Sequence, residues 1–167
     1  MLQEAWKVDR KAYPNYATMI DDMNKRGYKY LGYFFPMISP VQAQYAHAKA
    51  NDYLVKNPKG EPYVWPMTSG IADYDVSYID ITNPEAVEWF TESFLKPAVE
   101  EHGVSGWMHD FGEYTPPDAV FHNGKTGDEM HNRYSTQWIE IAREYLDRAK
   151  PDGDYILFPR SGYIGTQ

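Results

Sequence analysis

The stretch VSGWMHDFGEYTPP, residues 104–117, decides the fold. Val104 to His109 is short and largely apolar, which fits a strand covered on both faces. It ends at a carboxylate, Asp110, and a second one, Glu113, follows on a Gly-containing turn. Tyr114, Thr115 and two prolines then open a long loop. A buried strand that delivers an acid to its C-terminal end points to an α/β architecture, because parallel sheets wrapped by helices place their clefts there.

The flanking sequence repeats this alternation. Pro14 to Arg26 reads as a helix with Met19, Ile20 and Met23 on its apolar side and Gly27 at its end. Tyr28 to Phe35, YKYLGYFF, reads as a strand buried on both sides, and Val41 to Ala50 as a helix. Asn51 to Tyr74 is too long and too rich in Pro, Gly, Asn and Lys for an idle connection. It is expected to be an excursion with a small hairpin pairing Tyr53–Val55 with Tyr63–Trp65. Ser77 to Ile81 reads as a strand. Thr82-Asn83-Pro84-Glu85 starts a helix that runs to about Glu101, with a kink expected at Pro97. Asp110 to about Gly127 is a loop, Asp128 to Ala149 a helix with Tyr134, Trp138, Ile141, Ala142 and Tyr145 inward, and Tyr155 to Phe158 a strand followed at once by Arg160. Four strands alternating with helices predict a parallel sheet. No Gly-rich dinucleotide fingerprint follows a strand, and GDEMHN after Lys125-Thr126 lacks P-loop spacing. The expected fold is therefore a partial (β/α)8 barrel with long βα loops, occupying residues 1–167 as a single partial domain.

Composition narrows the function. The chain has 167 residues, 43% of them hydrophobic, and no apolar run of membrane-spanning length. MLQEAWKVDRK carries no apolar leader, from which a cytoplasmic location is expected. There is no cysteine, which removes disulfides, thiolate nucleophiles and Cys-based zinc sites. The net charge of −8 repels a phosphate backbone, so nucleic acid is not an expected partner. Aromatic residues make up 16%, with 15 Tyr and 5 Trp. That content fits either a Tyr-rich core or a sugar site, where flat rings pack on C–H faces and phenols bond to hydroxyls.

The strand ends bring His109, Asp110 and Arg160 to one side of the sheet. Asp110 is a candidate nucleophile or general base, and a nearby Arg would keep it ionised. The plain alternative is an Asp that caps a loop or pairs with Arg160. Glu113 shares the loop with Asp110. Two carboxyls that flank a sugar stand roughly 5 Å apart on opposite sides, so Glu113 reads as a group that orients Asp110 or bonds a hydroxyl. His102, His109, Asp110, Glu113, His122 and His131 crowd one third of the chain, but no HxH or HExxH spacing appears. No metal is therefore expected.

Several motifs, in order, resemble glycoside hydrolase family 31. GWMHDFGEYTP (106–116) is similar to the family's nucleophile strand, VSYIDITNPEAVEWF (76–90) to the strand and helix before it, HNGKTGDEMHNRY (122–134) to the segment after it, and LFPRSGYIGTQ (157–167) to the strand bearing a substrate-binding Arg. Within the family, DFGEY with the HNG and MHN segments resembles the sulfoquinovosidases, which act on glycosides of a 6-sulfonated glucose. The DMNEP-like pattern of the α-glucosidases is absent, and DFGE also occurs in α-xylosidase-like members.

The resemblance implies a retaining α-glycosidase acting on a carbohydrate substrate, an α-glycoside with or without a sulfonate, and no metal or organic cofactor. It implies Asp110 as nucleophile, Glu113 as a supporting group, Arg160 on substrate and nucleophile, and Trp107, Met108 and Phe111 lining the pocket beside His109. It also implies that the acid/base Asp follows Gln167 and that the early barrel strands precede Met1. The 167 residues alone are then expected to be inactive and weakly stable. The rival expectations are a general α-glucosidase or α-xylosidase, a non-catalytic sugar-binding remnant, and a metal-dependent barrel hydrolase.

Overall fold

A computed structural model describes residues 6–68 and 73–166. The MLQEA start, Ser69–Ala72 of the expected excursion, and Gln167 of the last motif lie outside the described residues. The elements are α1 (Tyr16–Lys25), β1 (Gly32–Phe34), β2 (Met37–Ile38), α2 (Ala43–Ala50), β3 (Trp65–Thr68), β4 (Asp73–Tyr78), α3 (Pro84–Phe90), α4 (Lys96–Glu100), β5 (Gly106–His109), α5 (Gly127–Ala149) and β6 (Ile156–Phe158). A π-helical turn, Thr91–Leu95, joins α3 to α4.

Three strands form the parallel sheet, in the order β1-β5-β6. Gly32, Tyr33 and Phe34 lie opposite Trp107, Met108 and His109. Gly106, Trp107 and Met108 lie opposite Ile156, Leu157 and Phe158. This is an open arc of barrel sheet with helical crossovers. The strand expected at Ser77–Ile81 is not in it. β4 instead lies between β2 and β3, antiparallel to both, in the excursion that leaves the barrel after β1. Alternating apolar residues announce a strand but not its direction. The expected hairpin forms in part, with the Tyr63 N–H donating to the Val55 carbonyl at 2.8 Å. Lys56 pairs with Pro62 around an Asn57–Gly60 turn, while Trp65 pairs with Val76 rather than turning back on Tyr53.

Local chemistry explains the helix boundaries. Asn83 caps α3 by accepting the Glu85 N–H at 3.0 Å, with Pro84 as the first helical residue. Pro97 has no N–H, and its ring would meet the carbonyl of Ser93 in a regular α-helix. The π turn just before it absorbs the conflict, so the expected kink takes the form of a register change. α5 opens with a capping box: the Thr126 N–H donates to Glu129 Oε2 at 2.9 Å, and the Thr126 hydroxyl takes the reciprocal bond. That is the structural use of the Lys125-Thr126-Gly127 motif.

Strand alternation divides the sheet into two faces. On one face Phe34, Trp107 and His109 pack against the helices. Trp107 meets Phe34 at 5.1 Å, Phe90 meets Trp138 at 4.9 Å, and the His109 ring stacks on Trp138 at 4.0 Å. On the other face Tyr33, Met108 and Phe158 form the inner wall of the arc, and Tyr33 and Phe158 are exposed. Gly106 permits the β5–β6 contact. Its φ is +140°, and a Cβ there would stand 1.9 Å from the Ile156 carbonyl oxygen.

Candidate active site

The polypeptide leaves β5 at Asp110, whose N–H donates to the Phe34 carbonyl at 2.8 Å and whose carbonyl accepts the Trp138 indole N–H at 3.2 Å. The backbone is thus gripped from β1 and from α5. The residue, whose side chain points to the inner face two positions beyond Met108, is only 1% exposed. Three side-chain donors meet its carboxylate. Arg160 Nε reaches Oδ1 at 2.8 Å, Arg160 Nη2 reaches Oδ2 at 2.5 Å, and the Tyr33 hydroxyl also donates to Oδ2. Burial pushes the Asp110 carboxyl up, but the two Arg160 bonds, Tyr33, the guanidinium charge and the Phe111 N–H together outweigh it. The group is held below the usual carboxylate range. Arg160 is raised in turn, first by its bonds to Asp110. Asp110 is therefore an ionised, oriented, almost fully buried carboxylate at the C-terminal end of a barrel strand.

Phe111 has φ +64°, a left-handed conformation rare for an aromatic residue. Its carbonyl accepts the Ser161 hydroxyl at 2.5 Å, and its ring lies under the Arg160 guanidinium at 5.7 Å. Phe35, Phe111 and Tyr114 continue the aromatic wall, with ring centroids about 6 Å apart. The loop above is anchored from the excursion. Tyr114 N–H donates to the Tyr78 hydroxyl at 3.1 Å, and the buried Asp80 carboxylate accepts the His122 N–H at 2.7 Å as well as Thr82 N–H and Oγ1.

The predicted residues separate. Asp110, Arg160, Met108 and Phe111 come together on the inner side. Trp107 and His109 do not. Both are completely buried on the helix side of β5, because residues at i and i+2 share a face opposite to that of Met108 and Asp110. The expectation that they touch substrate is corrected accordingly. His109 Nδ1 accepts the Trp107 indole N–H at 3.1 Å, leaving Nε2–H to donate to the Trp138 carbonyl at 2.9 Å. Burial pushes this imidazole down to about 3, against smaller upward contributions from Trp138 and Asp110. It is a neutral strut. Glu113 is exposed, and among the described residues it makes no hydrogen bond to Asp110; the side chains that bond the Asp110 carboxylate are Tyr33 and Arg160. Sequence reasoning does not find Tyr33. Its only signal is a place on the strand YKYLGYFF, in phase with Met108 across the sheet, which no single-strand reading reveals. Among the described residues no cluster of three or more His, Cys, Asp or Glu is arranged to hold a metal ion.

A cleft of about 800 Å³ runs along the free edge of β1, lined by residues that include Trp6, Tyr16, Tyr30, Phe94 and His102. Of the side chains that bond the Asp110 carboxylate, only Tyr33 lines it. No described helix is long and apolar enough to cross a membrane.

The Asp110 carboxylate stands at the C-terminal end of a barrel strand, where barrel enzymes carry their chemistry. All 167 residues match the Glycosyl hydrolases family 31 TIM-barrel domain, and the chain belongs to that family. It is 33% identical over 162 residues to a sulfoquinovosidase of Escherichia coli K12, covering 97% of this chain and 23% of that protein. An α-xylosidase of Lactiplantibacillus pentosus is 27% identical, with 92% of this chain and 19% of that protein covered. Among solved structures, a family 31 sulfoquinovosidase from E. rectale, in complex with an aza-sugar inhibitor, superposes with a TM-score of 0.87 at 32% identity. That match covers 99% of this chain and 24% of the other. The chain thus spans about a quarter of the length of these two sulfoquinovosidases.

Proposed function

We propose that this chain supplies the nucleophile strand of a retaining α-glycosidase, with Asp110 as the attacking carboxylate and an α-sulfoquinovoside as substrate. The observation that carries the reading is the Asp110 carboxylate, ionised and nearly sealed at the end of β5. In the first step an Asp110 oxygen bonds to the anomeric carbon as the bond to the aglycone oxygen breaks. That oxygen takes a proton from a carboxylic acid on the opposite face of the sugar. In the second step the same carboxyl, now a base, takes a proton from water, which attacks the anomeric carbon and frees Asp110. The acid/base carboxyl comes from elsewhere in the barrel. Glu113, on the same loop as the nucleophile, supports the site by bonding a sugar hydroxyl.

The sulfonate reading rests on the likeness to two sulfoquinovosidases. A sulfonate is best held by cations and amide or hydroxyl donors. Arg160 is already committed to Asp110, so a sulfonate needs further donors from the rest of the barrel. The α-xylosidase likeness supports a second reading, a neutral α-xyloside or α-glucoside. The test uses the full-length protein. kcat/KM is compared for nitrophenyl α-sulfoquinovoside, α-glucoside and α-xyloside. A large preference for the sulfonated sugar is expected, and a preference for a neutral one overturns the substrate assignment. Asp110→Ala should abolish turnover and Glu113→Gln should weaken it. Wild-type rates in Asp110→Ala would refute the nucleophile.

A further inference from the structure

Resting on that reading of Asp110, we infer that Tyr33 is a positioning residue: its phenol fixes one oxygen of the nucleophile and holds the carboxylate in its charged form. The argument starts from register. Tyr33 lies opposite Met108 on the neighbouring parallel strand, so its side chain rises on the same inner face as that of Asp110, two residues further along β5. The hydroxyl reaches Oδ2, the oxygen that also takes Arg160 Nη2, whereas Arg160 Nε takes Oδ1. The two oxygens are therefore not equivalent. Oδ2 takes two side-chain donors, one from a strand and one from the segment after β6, and Oδ1 takes one, from Arg160.

The ring is not core packing. It is 46% exposed and meets Phe35 at 5.6 Å on the cleft side. Burial and then the bond to Asp110 raise this phenol well above its ordinary range, so it stays a donor at every working pH. The titratable and charged groups facing Asp110 from the packed elements are Tyr33 on β1, Arg160 beyond β6, and His109 on the reverse face of β5, which is neutral. Trp138 on α5 touches only the Asp110 carbonyl. Of these, Tyr33 alone can be silenced by removing one oxygen atom, without changing net charge.

The experiment is Tyr33→Phe in the full-length enzyme, with two readouts. One is the acidic limb of the pH profile of kcat/KM. The other is independent of turnover: the pH midpoint for labelling of the Asp110 peptide by a water-soluble carbodiimide, read by mass spectrometry. Losing a hydrogen bond to a charged group should move both upward by about one pH unit, and kcat/KM at neutral pH should fall about tenfold. Thermal unfolding should stay cooperative and fall only slightly, because the ring and its packing are kept and one hydrogen bond is lost. An unmoved labelling midpoint overturns the inference, whether or not activity falls, since a packing role would lower activity without moving that midpoint. The labelling arm also separates the two claims. If Asp110→Ala remains active but Tyr33→Phe shifts the midpoint, the glycosidase reading has failed while the Tyr33–Asp110 coupling stands.

Discussion

Replacing Gly106 by Ala tests whether the β5–β6 contact holds the site together. At φ +140° an alanine is forced into a region reserved for glycine, at a cost of about 1–3 kcal/mol. Its Cβ would also stand 1.9 Å from Ile156 O and 2.8 Å from Ile156 N, both backbone atoms that no rotamer change can move. The strands must part, and the bond from Ile156 N–H to Ser105 O, 3.1 Å long, is lost for about another 1 kcal/mol. The total is about 2–4 kcal/mol. Gly27→Ala is the control, because Gly27 has φ +84° but a methyl group added there would meet nothing within 4 Å, leaving only the left-handed strain of about 1–2 kcal/mol. Urea unfolding of the full-length protein, followed by near-UV circular dichroism, measures both. Gly106→Ala should cost clearly more, and it should also reduce activity, because β6 leads directly to Arg160. If Gly106→Ala costs no more than Gly27→Ala, the close approach of the two strands is not what limits this position.

His109 gives the protein an acid-sensitive point. Its imidazole is held near 3 in the folded state against about 6.5 unfolded, so between those values the unfolded chain binds the extra proton. Stability from this group is complete above about pH 6.5 and falls by up to about 1.4 kcal/mol per unit as the pH drops toward 3. His109→Phe should lower stability at pH 7, by orphaning the buried Trp107 indole N–H, yet flatten the loss between pH 6 and 4. Equal slopes in urea midpoints for wild type and variant would rule out this account. Arg160→Lys replaces a two-pronged clamp with a single ammonium. The acidic limb of kcat/KM should move up and the neutral-pH value fall about 10- to 100-fold. An unchanged profile would show that the bidentate geometry is dispensable.

Much of this architecture is legible in the residues alone. The strand–acid–loop pattern at 104–117, the Asn83-Pro84 helix start and the placement of Arg160 after a strand are local properties. Caps, propensities and hydrophobic period are written in neighbouring residues, so these elements appear where the sequence puts them. The π turn is half legible, since Pro97 announces a conflict but not how the helix absorbs it. Strand direction at 73–78 is not legible, because a half-buried strand reads alike in parallel and antiparallel pairing.

Within the site, sequence by itself determined that a carboxylate and an arginine stand at strand ends. Tertiary structure decided which neighbours share their side of the sheet. Trp107 and His109, adjacent in sequence to the inward residues, fall on the helix side because the side-chain period of a strand is two. Tyr33, 77 residues from Asp110, becomes its hydrogen-bond partner because β1 pairs directly with β5 in a register that puts Tyr33 beside Met108. Pairing order and register are long-range quantities, fixed by packing the helices onto one face of the whole sheet, and no local stretch of sequence encodes them.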